Sequence, residues 1–120
     1  MISDFYDLNA WKEAHELVLM TYKILSKYPK EEKFGIVDQL RRAVTSISAN
    51  IAEGFGRYSY KDRNHFNYQA RGSAKEVQNF LLVSKNLKFI SDTDFDLLWN
   101  QAKKADMIIN GLIRSTDKLK

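Results

Sequence analysis

Four runs of apolar residues recur at alternating spacings of three and four, and this rhythm constrains the chain more tightly than any motif in it. Val37, Leu40, Val44, Ile47, Ile51 and Gly54 form the clearest run. Phe66, Ala70, Ser73, Val77, Phe80, Ser84 and Leu87 form another, and Phe95, Leu98, Ala102, Ala105, Ile109 and Leu112 a third. Near the start, Trp11, Ala14, Val18, Leu25 and Tyr28 keep the same rhythm, with Thr21 as its polar member. This spacing places each set along one face of an α-helix. No segment sustains the period of two that a half-buried strand requires, so the chain is expected to be all-α.

The breaks fall between these runs. Pro29 closes the first, Gly54 and Gly56 bracket the end of the second, and Ser91-Asp92-Thr93-Asp94 precedes the fourth. Asn9 is placed to cap the first helix, while Ser59-x-x-Asp62 and Ser91-x-x-Asp94 resemble capping-box starts. Helices are expected near 9–28, 31–54, 60–89 and 93–115. The connections are short, so consecutive helices must reverse direction and pack as neighbours. The expected architecture is an up-down-up-down antiparallel four-helix bundle, one domain spanning 1–120. The first helix also carries Leu17, Met20 and Ile24, and the fourth Trp99 and Ile113, beside their main stripes. These residues either widen the buried face or meet another copy of the chain.

Composition narrows the function classes. The 120 residues include no cysteine, which removes disulfide frameworks, thiolate nucleophiles and Cys-ligated zinc. No apolar stretch approaches the roughly 20 residues needed to span a bilayer. The opening residues hold acids rather than a basic, then apolar, leader, so a cytoplasmic protein is expected. A di-iron bundle needs Glu-x-x-His on each of two helices. Here His15 follows Lys12 and His65 follows Asp62 at that spacing, so no such pair exists. Gly54-Phe55-Gly56-Arg57 follows a helix and lacks the Gly-Lys-Ser/Thr of a phosphate-binding loop. No enzymatic activity, catalytic residue, metal or cofactor is expected.

Two polar features stand out. Arg42, Ser46, Asn50, Glu53 and Arg57 share one helical face beside the Val37–Gly54 stripe. With Ser73 and Glu76 of the next helix, Arg42, Ser46, Asn50 and Glu53 are expected to form a structural polar network. Gly72 is the expected point of close backbone approach. The second feature is electrostatic. The chain has 19 Lys and Arg against 15 Asp and Glu, for a net charge of +4. Between Phe55 and Lys75 lie Arg57, Lys61, Arg63, Arg71 and Lys75 with one acid, Asp62, so this segment holds the whole surplus. Tyr58 and Tyr60 are interleaved with these cations. Cations neutralise phosphates and aromatic faces stack unpaired bases, a mixture suited to RNA or another single-stranded nucleic acid.

The run Arg41-Arg42-Ala43, continued by Ser46-Ile47-Ser48-Ala49-Asn50-Ile51-Ala52-Glu53-Gly54-Phe55-Gly56-Arg57, resembles the proteins encoded in intervening sequences of bacterial 23S ribosomal RNA genes. The similarity extends from Leu8-x-x-Trp11-x-x-Ala14 to Ala70-x-Gly72-Ser73-x-x-Glu76. Ser46, Asn50, Glu53, Gly54, Arg57, Ser73 and Glu76 match the family motif, while Ile36 and Val44-Thr45 depart from it modestly. The resemblance implies a four-helix bundle that assembles as a homopentamer. It also implies a likeness to the accessory variability protein of diversity-generating retroelements, a basic pentamer that works with a reverse transcriptase and its RNA.

The sequence-based expectation is thus a non-enzymatic, self-associating RNA-binding bundle. Arg41, Arg57, Lys61, Arg63, Arg71 and Lys75 would contact phosphates, and Tyr58 and Tyr60 would stack on bases. The alternative is a protein-interaction scaffold or accessory subunit whose partner is a reverse transcriptase. No membrane partner is expected.

Overall fold

The structure, a computed structural model, describes every residue from Met1 to Lys120 and contains helices but no strand. The long helices are α1 (Asn9–Leu25), α2 (Ile36–Phe55), α3 (Tyr60–Asn86) and α4 (Asp92–Asp117). Each packs against the next and α4 closes back on α1, while the backbones of diagonal helices stay farther apart. The result is the up-down-up-down four-helix bundle, 45 × 24 × 21 Å in extent.

Local chemistry sets the helix ends. Ser59 Oγ accepts from the Asp62 amide and Ser91 Oγ from the Asp94 amide, each at 3.1 Å. Asn9, by contrast, is not a cap: Leu8 occupies that position and makes no side-chain bond. The cap has moved upstream, where Asp4 and Asp7 form a reciprocal capping box around a short 3-10 turn, Phe5–Asp7. α2 starts later than expected because Pro29 leads into a 3-10 turn, Lys30–Glu32, and Gly35 breaks the helical path at φ −104°, ψ −116°. α3 stops at Asn86 because Lys88 takes a left-handed φ of 62°. The Phe89 amide then donates to Ser84 O at 2.9 Å and the Lys88 amide to Lys85 O, a Schellman closure.

The core follows the α2 and α4 stripes closely, whereas on α1 it runs through Ala10, Ala14, Leu17, Thr21 and Ile24, with Trp11 and Val18 only half-buried. Leu40, Val44, Ile47 and Ile51 of α2, Leu17 of α1, Val77 and Leu81 of α3 and Ile109 of α4 are fully buried. Each such side chain contributes about 1.5–3 kcal/mol on leaving water, so the seam dominates the fold. Leu17, Ile24 and Ile113 belong to this core, which makes them bundle residues rather than a surface for a second copy. The α3 seam differs from its sequence stripe. Its buried row is Asn64, Asn67, Ala70, Ala74, Val77, Leu81 and Ser84, whereas Phe66, Ser73 and Phe80 are only half-buried and Leu87 is exposed. Phe66 and Ser73 occupy the flank towards α2. The true centre line carries Ala70 and Ala74, small enough for the helix to sit close to its neighbours.

Glycine marks the tightest approach, but not the glycine expected. Gly72 is exposed with open space around it. At Gly54 a Cβ would lie 2.9 Å from Arg63 O and 3.1 Å from Phe66 Cβ, so only glycine lets the end of α2 meet the start of α3.

Candidate nucleic-acid interface

The basic segment begins at the corner joining α2 to α3. Gly56 ends α2, its amide reaching Ala52 O and Glu53 O, and the chain turns through Arg57–Ser59. Two arginines brace this corner. Arg57 donates from Nη2 to Glu53 Oε1 at 2.8 Å, with its guanidinium 4.6 Å from the Phe66 ring centre. Arg63 donates from Nε to Arg57 O at 2.9 Å and lies 5.2 Å and 5.5 Å from the rings of Phe55 and Tyr60. Both cations hold the turn, and each keeps N–H groups beyond the one that braces it.

Tyr58 and Lys61 support nothing in the fold. Tyr58 is fully exposed at the tip of the turn, and Lys61 is exposed with no carboxylate partner. Together with Ser59, Tyr60, Arg63, Leu119 and Lys120 they line an open depression at this end of the bundle. Lys120, delivered by the end of α4, joins the cluster from a part of the chain whose charges balance in sequence. Lys120 and Asp117 form an ion pair at 2.7 Å. The carboxylate raises the ammonium's affinity for its proton, while Lys120 and then Asn64 hold the Asp117 carboxyl below its ordinary range.

The other expected contact residues lie elsewhere. Arg71 donates to Asn110 Oδ1 at 3.1 Å and Lys75 pairs with Asp106 at 3.3 Å, both across the α3–α4 seam. Ten residues of helix separate Arg71 from Lys61, about 15 Å. Arg41 faces Asp38 at 3.8 Å, fourteen residues or about 21 Å along α2 from the end of that helix at Phe55. The structure therefore brings Arg57, Tyr58, Tyr60, Lys61 and Arg63 together and leaves Arg41, Arg71 and Lys75 apart.

The expected six-residue network contracts to three. Ser46 Oγ and Ser73 Oγ lie 2.9 Å apart, and Asn50 Nδ2 donates to Ser46 O at 2.9 Å and Ser46 Oγ at 3.0 Å. Arg42 turns to Asp38 at 3.0 Å, Glu53 to Arg57, and Glu76 is exposed without a hydrogen-bonding partner. Arg42 and Glu53 are thus satisfied by ion pairs with residues four positions away, and only Glu76 is left to solvent.

A second polar network lies at the Tyr58 end, within the bundle. Asn64, 1% exposed, donates from Nδ2 to Ile113 O at 3.0 Å and to Asp117 Oδ1 at 2.8 Å. Its Oδ1 accepts from Asn67 Nδ2 at 3.1 Å. Asn67 is itself 4% exposed, and its own Oδ1 accepts no bond. That oxygen lies at a cavity of about 190 Å³ lined by Ile2, Leu8, Ile51, Gly54, Phe55, Tyr60, Arg63, Asn67, Leu112, Ser115, Thr116 and Leu119. Asn64 and Asn67 extend the Ala70–Ala74 row towards the start of α3, but their polarity hides them from a search for apolar periodicity.

No three His, Asp or Glu side chains are grouped to hold a metal ion, and no helix is long and apolar enough to cross a membrane. The arrangement offers cations for phosphate and aromatic faces for bases at one end of the bundle.

The family model described as 23S rRNA-intervening sequence protein matches residues 6–111. No curated protein matches the chain. Among solved structures, a protein of unknown function from the S23 ribosomal protein family of Bacteroides thetaiotaomicron VPI-5482 is similar in fold. It superposes at a TM-score of 0.80 with 21% identity, covering 87% of this chain and 97% of that one.

Proposed function

The chain belongs to the 23S rRNA-intervening sequence protein family, and from that premise we propose that it is a non-enzymatic, cytoplasmic RNA-binding protein acting through the α2–α3 corner. The observation that carries this reading is the pairing of Tyr58 and Lys61, exposed and free of structural duty, with the braced guanidinium of Arg63. A tyrosine at a loop tip costs apolar exposure that the fold does not repay. Beside cations it is a stacking platform for an unpaired base, and the cations track the phosphates. Self-association as a homopentamer is part of the same proposal, since a ring would repeat the corner by symmetry. The exposed Leu19, Tyr22, Leu82, Leu97 and Met107 on outer helix faces support it.

Fluorescence anisotropy with a labelled single-stranded RNA tests the binding. Affinity should fall as salt rises, with a log–log slope of about −0.7 per phosphate neutralised. Absence of any complex at low salt would contradict the reading. Sedimentation tests the assembly, and a mass near the 14.0 kDa of one chain at micromolar concentration would contradict the pentamer.

A further inference from the structure

The cavity beneath the α2–α3 corner is built around a fixed, unused acceptor. The Ile113 carbonyl and the Asp117 carboxylate both accept from Asn64 Nδ2. Asn64 must therefore present Oδ1 to Asn67, which in turn must donate from Nδ2. This chain fixes the Asn67 amide so that Oδ1 points away from the network. A Cβ at Gly54 would stand 3.5 Å from that oxygen, so the close approach of α2 to α3 brings Asn67 beside Gly54 in the cavity wall. Asn67 is 4% exposed as a residue, and its Oδ1, which makes no hydrogen bond within the fold, keeps its exposure on the cavity side.

The surroundings define the occupant. Phe55 and Tyr60 supply aromatic surface, Leu112 an apolar wall, and the Thr116 hydroxyl, on a residue 7% exposed, a second polar atom that makes no hydrogen bond in the fold. At about 190 Å³ the space is below the 300–1,000 Å³ typical of drug-sized ligands and suits one flat ring system. Tyr60 and Arg63 line both this cavity and the open depression that holds Tyr58 and Lys61. We propose that the cavity receives a single unpaired base of the RNA bound at the corner. An N–H on the base edge donates to Asn67 Oδ1, and the phosphates remain outside with Lys61 and Arg63. The protein then reads one base rather than the backbone alone. This inference rests on the RNA-binding reading and adds a base pocket to it.

The test compares two ligands on the unmodified protein: oligoadenylate of about ten nucleotides, and a backbone of equal length with every base removed. The expected result is binding of the adenylate about tenfold or more tighter than the abasic strand. The Asn67 side-chain amide resonances should shift with the adenylate only. Equal affinities with the same salt slope would overturn the pocket, and the stacking on Tyr58 with it, and leave phosphate binding intact. No binding by either strand would overturn both. Thr116→Val, which keeps the shape and removes the hydroxyl, should weaken the adenylate alone. If it weakened both strands equally, the pocket would again be contradicted.

Discussion

Two of the polar networks that join α3 to its neighbours end differently. At mid-bundle, Ser46, Asn50 and Ser73 form a set in which every side chain has a partner, joining α2 to α3. At the Tyr58 end, Asn64 and Asn67 run from the α4 backbone to a free oxygen beside a cavity. The first has the form of a register device: small side chains and short reach, with its one unbonded amide oxygen, Asn50 Oδ1, on a half-buried residue. The second places two amides in a row where apolar residues would pack, and it leaves an acceptor unused. A network on a half-buried helix seam can be explained by folding alone, whereas one that ends on a cavity offers its acceptor to whatever enters there.

The comparison breaks most sharply at Asn64. Asn64→Ala removes three hydrogen bonds and leaves the Asn67 amide nitrogen without an acceptor. Urea denaturation should show a loss of about 3 kcal/mol, from the unsatisfied group and the void together. The mid-bundle network should yield less. Ser73→Ala leaves Ser46 Oγ still bonded to Asn50, so the same measurement should show about 1 kcal/mol. Were Ser73→Ala the costlier change, the mid-bundle network would be the mainstay and the ranking wrong.

The unequal legibility of the two networks has a physical reason. Ser46 and Asn50 sit one turn apart beside an unbroken apolar stripe, so a shared polar face is visible in the sequence. Asn64 and Asn67 replace apolar residues within the seam itself, and polarity at such positions reads as surface. The α3 stripe was offset for the same reason. Phe66 and Phe80 drew it one position towards α2, while Ala70 and Ala74, which set the real centre, give a weak apolar signal. The α2 and α4 seams are legible because large aliphatic side chains occupy them, whereas on α1 Trp11 and Val18 draw the apparent stripe away from Leu17 and Ile24. The surplus charge was legible as a segment but not as a surface. Arg71 and Lys75 lie ten or more residues beyond Lys61, facing acceptors on α4 that no sequence count could pair with them. Lys120, from the far end of the chain, lies where the fold alone could place it.

Acid should sharpen the contrast further. Asp117, held by Lys120 and Asn64, has its carboxyl below the ordinary value of 3.8. A group lowered on folding contributes stability above its unfolded value and loses it as pH falls through the folded one. Stability should thus decline below about pH 4, and Asp117→Asn should make that decline shallower. Asp7 and Glu13, also lowered, keep it from vanishing. The mid-bundle network has no titratable member, so Ser73→Ala should leave the slope unchanged. Parallel urea titrations between pH 2 and 6 measure both.

The smallest effect on folding is expected at the corner. Lys61→Ala and Tyr58→Ala should each stay within about 0.5 kcal/mol of the parent, because neither side chain holds anything in place. That indifference makes them the proper probes of function. The most direct measurement is anisotropy of a labelled single-stranded RNA with the parent, the Tyr58→Ala/Lys61→Ala variant and Ser73→Ala. The corner variant should lose roughly tenfold or more in affinity and show a salt slope shallower by about 0.7, while Ser73→Ala binds like the parent. Equal binding by all three proteins, with an unchanged slope, would contradict the assignment of RNA to this end of the bundle.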